Sequence, residues 1–157
     1  MYHNTPYKKY NNEKFSYKVF DSKLNLLWEK DIQLPYKDKY FSIKDYILDN
    51  EGNVYMQAEI SPDKTKGEKK STQHQAKKFV ILSYKYKTDK LSKFEIKLQD
   101  KWITSISYDV NEDTKEIVVG GFYSNDKNLR INGIFYLAMN LKDGSVKTTS
   151  KKAFDKS

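Results

Sequence analysis

Hydrophobic and polar residues alternate in steps of two along most of the chain, and helical periodicity is almost absent. In an extended strand successive side chains point to opposite faces, so every second residue shares a face. Four segments each carry one apolar face of this kind: Phe15, Tyr17 and Val19; Val54, Met56, Ala58 and Ile60; Val80, Leu82, Tyr84 and Tyr86; and Phe135, Leu137, Met139 and Leu141. The pattern predicts an all-β fold.

Compact turn sequences separate these strands, so consecutive strands are expected to form antiparallel hairpins. The turns fall at Ser22–Asn25, Asn50–Asn53, Thr88–Lys90, Asn111–Lys115 and Asp143-Gly144. Asp-Gly tolerates the positive φ angles of a type I′ turn, which predicts a two-residue hairpin at the last position. A Gly120-Gly121 pair interrupts an apolar run, which indicates close packing or a bulge within a strand.

Two kinds of hairpin alternate, and each recurs at a spacing of roughly 60 residues, which is typical of a four-stranded repeat. Such a unit is the blade of a β-propeller. The chain then divides into a tail at 1–14 and blade pieces at 15–34, 43–98 and 103–154, about two and a half blades. Propellers close with about four to eight blades, so we expect a segment of a longer protein.

Charge and composition narrow the classes of function. The net charge of +8 comes from 28 Lys and a single Arg, Arg130. Arg is the side chain that forks onto phosphates and guanine edges, so its scarcity argues against a nucleic-acid binder. Because the chain has no Cys, it has no disulfide and no thiolate metal site. No apolar run is long enough for a membrane span. No motif predicts a cofactor.

Two acidic turns raise the question of a calcium site. In the EF-hand pattern a bidentate Glu occupies the twelfth position, but that position is Ile60 when counted from Asp49 and Gly120 when counted from Asp109. Both sequences are therefore interpreted as turns, with Gly52 at positive φ and Asp49 or Asn53 bonded to the turn backbone. No catalytic or metal-binding residue is predicted, although the 21 acidic residues leave paired carboxylates open.

Two groups of residues are candidates for binding. Aromatic rings near predicted strand ends could stack on sugars or anchor a peptide; the alternative is that large rings such as Trp28, Phe94 and Trp102 pack between blades. Lysines of the segment 61–78 could contact an anionic surface; the alternative is a solvated loop. The two candidate sets are Tyr36, Tyr40, Phe41, Trp102 and Tyr123, and Lys64, Lys66, Lys69, Lys70, Lys77 and Lys78.

The motif D-x-x-G-N-V-Y, at Asp49, Gly52, Asn53, Val54 and Tyr55, is similar to propeller repeats of secreted proteins from Bacteroidetes. The strings "FSYKVFDSKLNLLWEKDIQLPYKDKYFSIKDY" and "KFVILSYKYKTDKLSKFEIKLQDKWITSISY" and the string "GGFYS" resemble a family of exported proteins of that group, over residues 13 to about 145. The resemblance implies a periplasmic or secreted protein. Because the N-terminus shows no signal peptide, the chain itself leaves localisation open. The resemblance implies no particular activity.

These observations favour a non-catalytic binding or structural module of the bacterial cell envelope, with a protein or glycan partner. The alternative is part of a propeller enzyme that acts on glycans or peptides, with a site completed by blades outside this chain. Since repeats bury their cores only against neighbours, self-association through exposed blade faces is also expected.

Overall fold

The structure is a computed structural model that describes residues 2–4, 12–37, 40–61, 77–126 and 130–155. Within these residues the chain is all-β, with eleven strands in antiparallel sheets, one short 3-10 turn at Tyr86–Thr88 and no α-helix. No helix in this described part has the length and apolar character to cross a membrane. The chain divides into two compact units, Met1–Ser42 and Ile43–Ser157.

The first unit holds a three-stranded sheet, the first sheet, in the order β1-β2-β3. Its strands are β1 (Tyr2–Asn4), β2 (Asn12–Phe20) and β3 (Leu26–Lys37). The predicted apolar face of β2 is buried, and the rings of Phe15 and Tyr17 meet edge to face with centroids 5.2 Å apart.

The second unit contains most of two four-stranded sheets. The second sheet has the order β4-β5-β6-β7 and the third the order β11-β10-β9-β8, so each is a chain of consecutive hairpins. The strands of the second sheet are β4 (Phe41–Leu48), β5 (Val54–Ile60), β6 (Lys78–Lys85) and β7 (Lys90–Ile96). Those of the third are β8 (Trp102–Asn111), β9 (Glu116–Ser124), β10 (Gly133–Asn140) and β11 (Val146–Ala153).

The second and third sheets pack face to face through a shared apolar core. The second sheet contributes Tyr55, Phe79, Ile81, Phe94, Ile96 and Leu98, and the third contributes Ile117, Val119, Tyr123, Phe135, Leu137, Met139 and Leu141. Burial of these side chains is the main stabilising contribution, at about 25 cal/mol per Å² of apolar surface removed from water. The strands β5 and β6 are buried on both faces, because Val54, Met56, Val80 and Leu82 are enclosed as well.

A five-residue turn occurs twice with the same hydrogen bonds. In Asp21–Asn25 and in Asp49–Asn53, one Asp oxygen accepts bonds from the backbone N–H groups two and four residues later. The other Asp oxygen accepts a bond from the side-chain amide of the Asn. The fourth residue has positive φ, 64° at Leu24 and 82° at Gly52. The interpretation of Asp49–Asn53 as a turn, with Gly52 at positive φ, is therefore confirmed.

Three expectations from the sequence need correction. Tyr2–Asn4 pairs with β2 as a strand, so this part of the predicted tail 1–14 belongs to the first sheet, which has three strands instead of two. Lys78 starts β6, so it lies in a strand and not in the loop predicted at 61–78. The turn at Asp143-Gly144 is not a two-residue type I′ turn, because four residues separate the bonded pair Asn140 and Ser145 and only Gly144 has positive φ.

The prediction of close packing at Gly120-Gly121 is confirmed for one of the two glycines. A β-carbon at Gly121 would collide with the carbonyl oxygen of Ser105 and lie 2.7 Å from the ring of Phe135. At Gly120 the nearest atom would be 4.0 Å away. The absence of a side chain at Gly121 therefore leaves room for the ring of Phe135 in the core.

Candidate functional site

The hairpin turns of the second and third sheets lie at one end of the second unit and enclose a cavity of about 490 Å³, which we call the turn-end cavity. Antiparallel hairpins place every second turn at the same end of a sheet, so residues distant in sequence meet there. Its lining comes from both sheets: Asp49, Glu51, Asn53, Ser83, Lys85, Lys90, Ser92, Phe94, Glu112, Lys115, Asn140, Leu141 and Lys142.

Asp49, Tyr55 and Lys85 form a chain of hydrogen bonds in the cavity wall. The hydroxyl of Tyr55 donates to Asp49 Oδ2 at 3.0 Å, and Lys85 Nζ donates to the same hydroxyl at 2.6 Å. The ammonium of Lys85 also lies 4.8 Å from the centre of the Tyr55 ring, a cation–π distance. The chain holds Lys85 against the wall at a fixed position.

The ionisation of these three groups reflects their surroundings. Burial raises the pKa of Tyr55, and the bond to the Asp49 carboxylate raises it further, so the phenol stays protonated. Burial acts to raise the pKa of Asp49 as well, but the bonds from Asn53, Tyr55 and Glu51 together outweigh it and the pKa is lowered. Burial lowers the pKa of Lys85, and the charges of Asp49 and Glu51 offset this only in part.

Polar contacts between the two sheets hold the turns and strands around the cavity in place. The Glu112 carboxylate accepts the backbone N–H of Asn50 at 3.2 Å, which ties the first turn of the second sheet to the first turn of the third. Between the strands β8 and β5, the hydroxyl of Tyr108 donates to the carbonyl of Tyr55 at 2.8 Å. The turn at Gly144 packs directly against the ring of Phe94. The cavity is thus bounded by elements held at set positions.

The cavity carries more uncommitted positive than negative charge. Asp49 and Glu112 accept hydrogen bonds from the protein, as described above, so Glu51 is the one acidic residue of the described lining without an ion pair or a hydrogen bond to its carboxylate. Lys90, Lys115 and Lys142 have no ion pair among the described residues. The hydroxyl of Ser83 is fully buried in the cavity wall and has no hydrogen-bond partner in the described part of the chain. A buried hydroxyl without a partner is costly and uncommon, so it is a candidate contact for a ligand.

The aromatic residues predicted as ligand contacts fall in both units, with Tyr36, Tyr40 and Phe41 in the first and Trp102 and Tyr123 in the second. Phe41 starts β4 and stacks on Tyr36 of β3, with ring centroids 5.0 Å apart, while Tyr40 precedes β4 and is half-buried. Tyr123 is buried in the core between the second and third sheets, and Trp102, half-buried, begins β8. A ligand role for these rings stays a prediction. Phe94 packs in the core, as the alternative interpretation held.

The lysine-rich segment can be placed only at its end. Lys64, Lys66, Lys69 and Lys70 lie outside the described residues. Lys77 is exposed and forms an ion pair with Glu59 at 2.7 Å, and Lys78 is the exposed first residue of β6. Contact with an anionic surface through these lysines therefore stays a prediction. Within the described residues no cluster of three or more His, Cys, Asp or Glu could hold a metal ion.

The sequence interpretation missed the turn-end cavity. Its residues belong to turns and strand ends, and the one motif among them, D-x-x-G-N-V-Y at Asp49 and Asn53, was interpreted only as a turn. A signal was present, because Lys85, Lys90, Lys115 and Lys142 flank three hairpin turns that the strand alternation places at one end of two stacked sheets. Nothing in the sequence indicated that the hydroxyl of Ser83 is buried without a partner, since a serine on a buried strand face cannot be told from any other small packed residue.

No protein-family model, curated protein or solved structure matches this chain.

Proposed function

We propose that this chain is a non-catalytic binding module and that its turn-end cavity recognises a carboxylate-bearing ligand, either an acidic side chain of a protein or an acidic sugar. The observation that carries the proposal is the cavity itself, where a partnerless buried hydroxyl at Ser83 and lysines without acid partners line one space. A volume of about 490 Å³ suits a ligand the size of one sugar or a short peptide segment.

The sign of the ligand's charge follows from which charged side chains of the cavity are already bonded within the protein. The carboxylates of Asp49 and Glu112 are engaged by backbone and side-chain donors, so they hold the turns together. Lys90, Lys115 and Lys142 offer ammonium donors to the same space. Each N–H···O⁻ bond to a carboxylate is about twice as strong as a neutral hydrogen bond, so these lysines favour an anion.

A binding role fits the wall of the cavity better than a catalytic one. The Tyr55 hydroxyl is held as donor to Asp49 and as acceptor from Lys85, and burial keeps it protonated. Groups committed in this way position a ligand without exchanging protons readily. A second candidate, part of an enzyme acting on glycans or peptides, is favoured by one observation, namely that Lys85, a partly desolvated amine, lines the cavity. Consumption of a bound ligand would identify the enzyme.

The wider setting is part of the same proposal: a segment of a larger β-propeller in the bacterial cell envelope. Two four-stranded antiparallel sheets that pack face to face, with their hairpin turns at one end, support the arrangement of neighbouring blades. Ligands of such assemblies often bind where turns from several sheets meet, as in the turn-end cavity.

Isothermal titration calorimetry with hexaglutamate and with glucuronate tests the proposal, with glucose and hexalysine as controls. We expect binding of the two carboxylate probes alone. The variant Lys90→Gln/Lys142→Gln should weaken their binding by at least about tenfold, because two charge-assisted bonds are lost. The matched variant Lys23→Gln/Lys151→Gln removes the same charge from exposed positions outside the cavity and should bind as the unaltered protein does.

Ser83→Ala provides an independent test with opposite effects on stability and binding. Removal of a buried hydroxyl without a partner should raise the free energy of unfolding by about 1 kcal/mol, while carboxylate binding weakens because a donor is lost. An equal loss of binding in Lys90→Gln/Lys142→Gln and in Lys23→Gln/Lys151→Gln would show that the ligand is attracted by overall charge, which contradicts the proposal. If neither hexaglutamate nor glucuronate binds, the proposal is wrong.

A further inference from the structure

The third sheet turns one face toward the second sheet, and the other face is exposed at most positions, although Ala138 is buried. Strand register gives four rows across this face. The row nearest the turns holds Asn111, Glu116 and Asn140, and Glu116 forms an ion pair with Lys147. We call the remaining three rows, across β8, β9, β10 and β11, the outer face. The rows are Asp109, Val118, Ala138 and Thr148; Ser107, Gly120, Tyr136 and Ser150; and Ser105, Phe122, Ile134 and Lys152.

The outer face is poor in charge although the chain as a whole is 32% charged. Only Asp109 and Lys152 in these three rows are ionised. Its centre is apolar, with Phe122, Ile134 and Tyr136 each about 40% exposed or more, and the ring of Phe154 lies 6.4 Å from that of Phe122. Exposed apolar groups that adjoin on one sheet face, with few charges around them, mark an interaction surface.

The two charges stand at opposite corners of the outer face. Asp109 lies on the edge strand β8 near the turn end, and Lys152 lies on the edge strand β11 at the other end. Neither has an ion pair among the described residues. A hollow of about 240 Å³ lies between Asp109, Val118 and Gly120, because Gly120 has no side chain.

We propose that the outer face binds the same face of a second copy of this chain, as a two-fold symmetric dimer. The axis lies in the plane of the interface, along the diagonal from Ser105 to Thr148. Rotation about this axis places Asp109 of each copy opposite Lys152 of the other, which forms two equivalent ion pairs. It also brings Ile134 of each copy over the hollow beside Gly120 in the other.

The resulting geometry is one that β-sheets adopt. The strands of the two copies cross at close to a right angle, which is one of the two orientations in which sheets pack face to face. A two-fold axis requires a self-complementary surface, and opposite charges at opposite corners meet that requirement. A second copy is therefore favoured over an unrelated partner by the charges of the face itself.

The size of the face sets the strength of the dimer. Three rows on four strands, about six residues along each strand, cover about 400 Å² per copy, from the usual strand spacing and rise. Two copies then bury about 800 Å² in total, which is the size of weak and transient interfaces. We therefore expect a weak dimer with a dissociation constant in the micromolar range or above.

Sedimentation velocity of the full chain from about 5 to about 500 µM tests the dimer by mass action. The monomer mass is 18.6 kDa, and the average mass should approach twice this value at the highest concentration. Asp109→Lys and Lys152→Asp should each weaken dimerisation by roughly tenfold, because each places like charges in contact twice per dimer. The double variant Asp109→Lys/Lys152→Asp should restore it, since the pairs are re-formed with the charges exchanged.

Ile134→Lys should abolish the dimer, and Lys97→Asp, which reverses a charge outside the outer face, should leave it unchanged. Far-UV circular dichroism checks that each variant stays folded. A monomer at every concentration, a dimer that Ile134→Lys does not disturb, or a double charge exchange that fails to restore association would each overturn the proposal.

Discussion

The hydroxyl of Tyr108, on the third sheet, donates a hydrogen bond of 2.8 Å to the backbone carbonyl of Tyr55, on the second. A second polar contact lies beside it, since the side-chain amide of Gln57 donates to the carbonyl of Ile106 at 3.3 Å. Both bonds cross the apolar core between the two sheets, and the bond from Asn50 to Glu112 joins the same sheets at their turns. They fix the distance and alignment of the sheets, and hence the width of the cavity at their turn end.

Tyr108→Phe removes the hydroxyl and should lower the free energy of unfolding by about 1–2 kcal/mol, since a bonded, largely buried donor is lost and a carbonyl loses an acceptor bond. Urea unfolding followed by circular dichroism measures the change. Tyr136→Phe is the matched control when unfolding is measured at a protein concentration low enough to keep the chain monomeric, because that ring is then exposed; its effect should stay within about 0.5 kcal/mol. Equal effects in the two variants would show that the inter-sheet bond contributes nothing.

The pKa of Asp49 makes stability depend on acid pH. Burial alone would raise this pKa, but hydrogen bonds lower it below the unfolded value of about 3.9. Between the folded and the unfolded pKa the unfolded state therefore binds more protons than the folded state. The stability contributed by Asp49 is present above the unfolded pKa and is lost as the pH falls through the folded one. We therefore expect the free energy of unfolding to decrease as the pH is lowered from about 5.

Asp49→Asn should cost about 1–3 kcal/mol at pH 7 and should flatten the acid slope, because the titrating carboxylate is gone. Asp21→Asn tests the same turn in an exposed position, and its effect on both quantities should be smaller since water screens the exposed group. Urea unfolding at several pH values between about 3 and 7 measures both. An acid slope in Asp49→Asn equal to that of the unaltered protein would contradict the assignment.

Gly120 and Gly121 are adjacent and should respond in opposite ways to alanine. Gly121→Ala places a methyl group against the Ser105 carbonyl and the Phe135 ring, and should lower stability by about 2–3 kcal/mol. Gly120→Ala brings its methyl group no closer than 4.0 Å to the nearest atom, an ordinary contact, and should be neutral or slightly stabilising because glycine weakens a strand. Thermal unfolding of the two variants is the measurement. A tolerated Gly121→Ala would mean that Phe135 is not packed as described.

Leu24 occupies a backbone conformation that suits glycine. Its φ is 64°, and its side chain is 81% exposed, so the left-handed conformation is strained and little packing compensates for it. The equivalent residue of the second turn is Gly52. Leu24→Gly should therefore raise the free energy of unfolding by about 0.5–1 kcal/mol, measured by urea unfolding, whereas the reverse change Gly52→Leu should lower it. A loss of stability in Leu24→Gly would contradict the shared geometry.

Local sequence rules predicted the elements whose cause is local. The alternation at Phe135, Leu137 and Met139 identified the buried face of β10, and the Asp49–Asn53 turn followed from the needs of glycine and Asp. The prediction of a two-residue type I′ turn at Asp143-Gly144 was wrong, because Asp-Gly also fits the end of a longer loop in which Gly144 alone has positive φ. Strand β1 was missed since three residues are too few to show a period.

The cavity and the outer face depend on which strands and sheets lie next to each other, and local sequence patterns do not predict that arrangement. Ser83 meets Glu112 and Leu141 around one space only because two sheets stack in a particular alignment. Likewise, Asp109 and Lys152 become opposite corners of one face only once four strands have a defined register. The arrangement of further blades, the ligand and the cellular setting remain proposals for the same reason.

A titration of ¹⁵N-labelled protein with hexaglutamate, followed by amide chemical shifts, separates the turn-end cavity from the lysine-rich segment 61–78. We predict saturable shifts that concentrate at Ser83, Lys85, Lys90 and Asn140 and that are lost in Lys90→Gln/Lys142→Gln. Shifts confined to residues 61–78, or spread evenly over exposed lysines, would show that acidic ligands bind the charged surface and that the cavity between the two sheets is not their site.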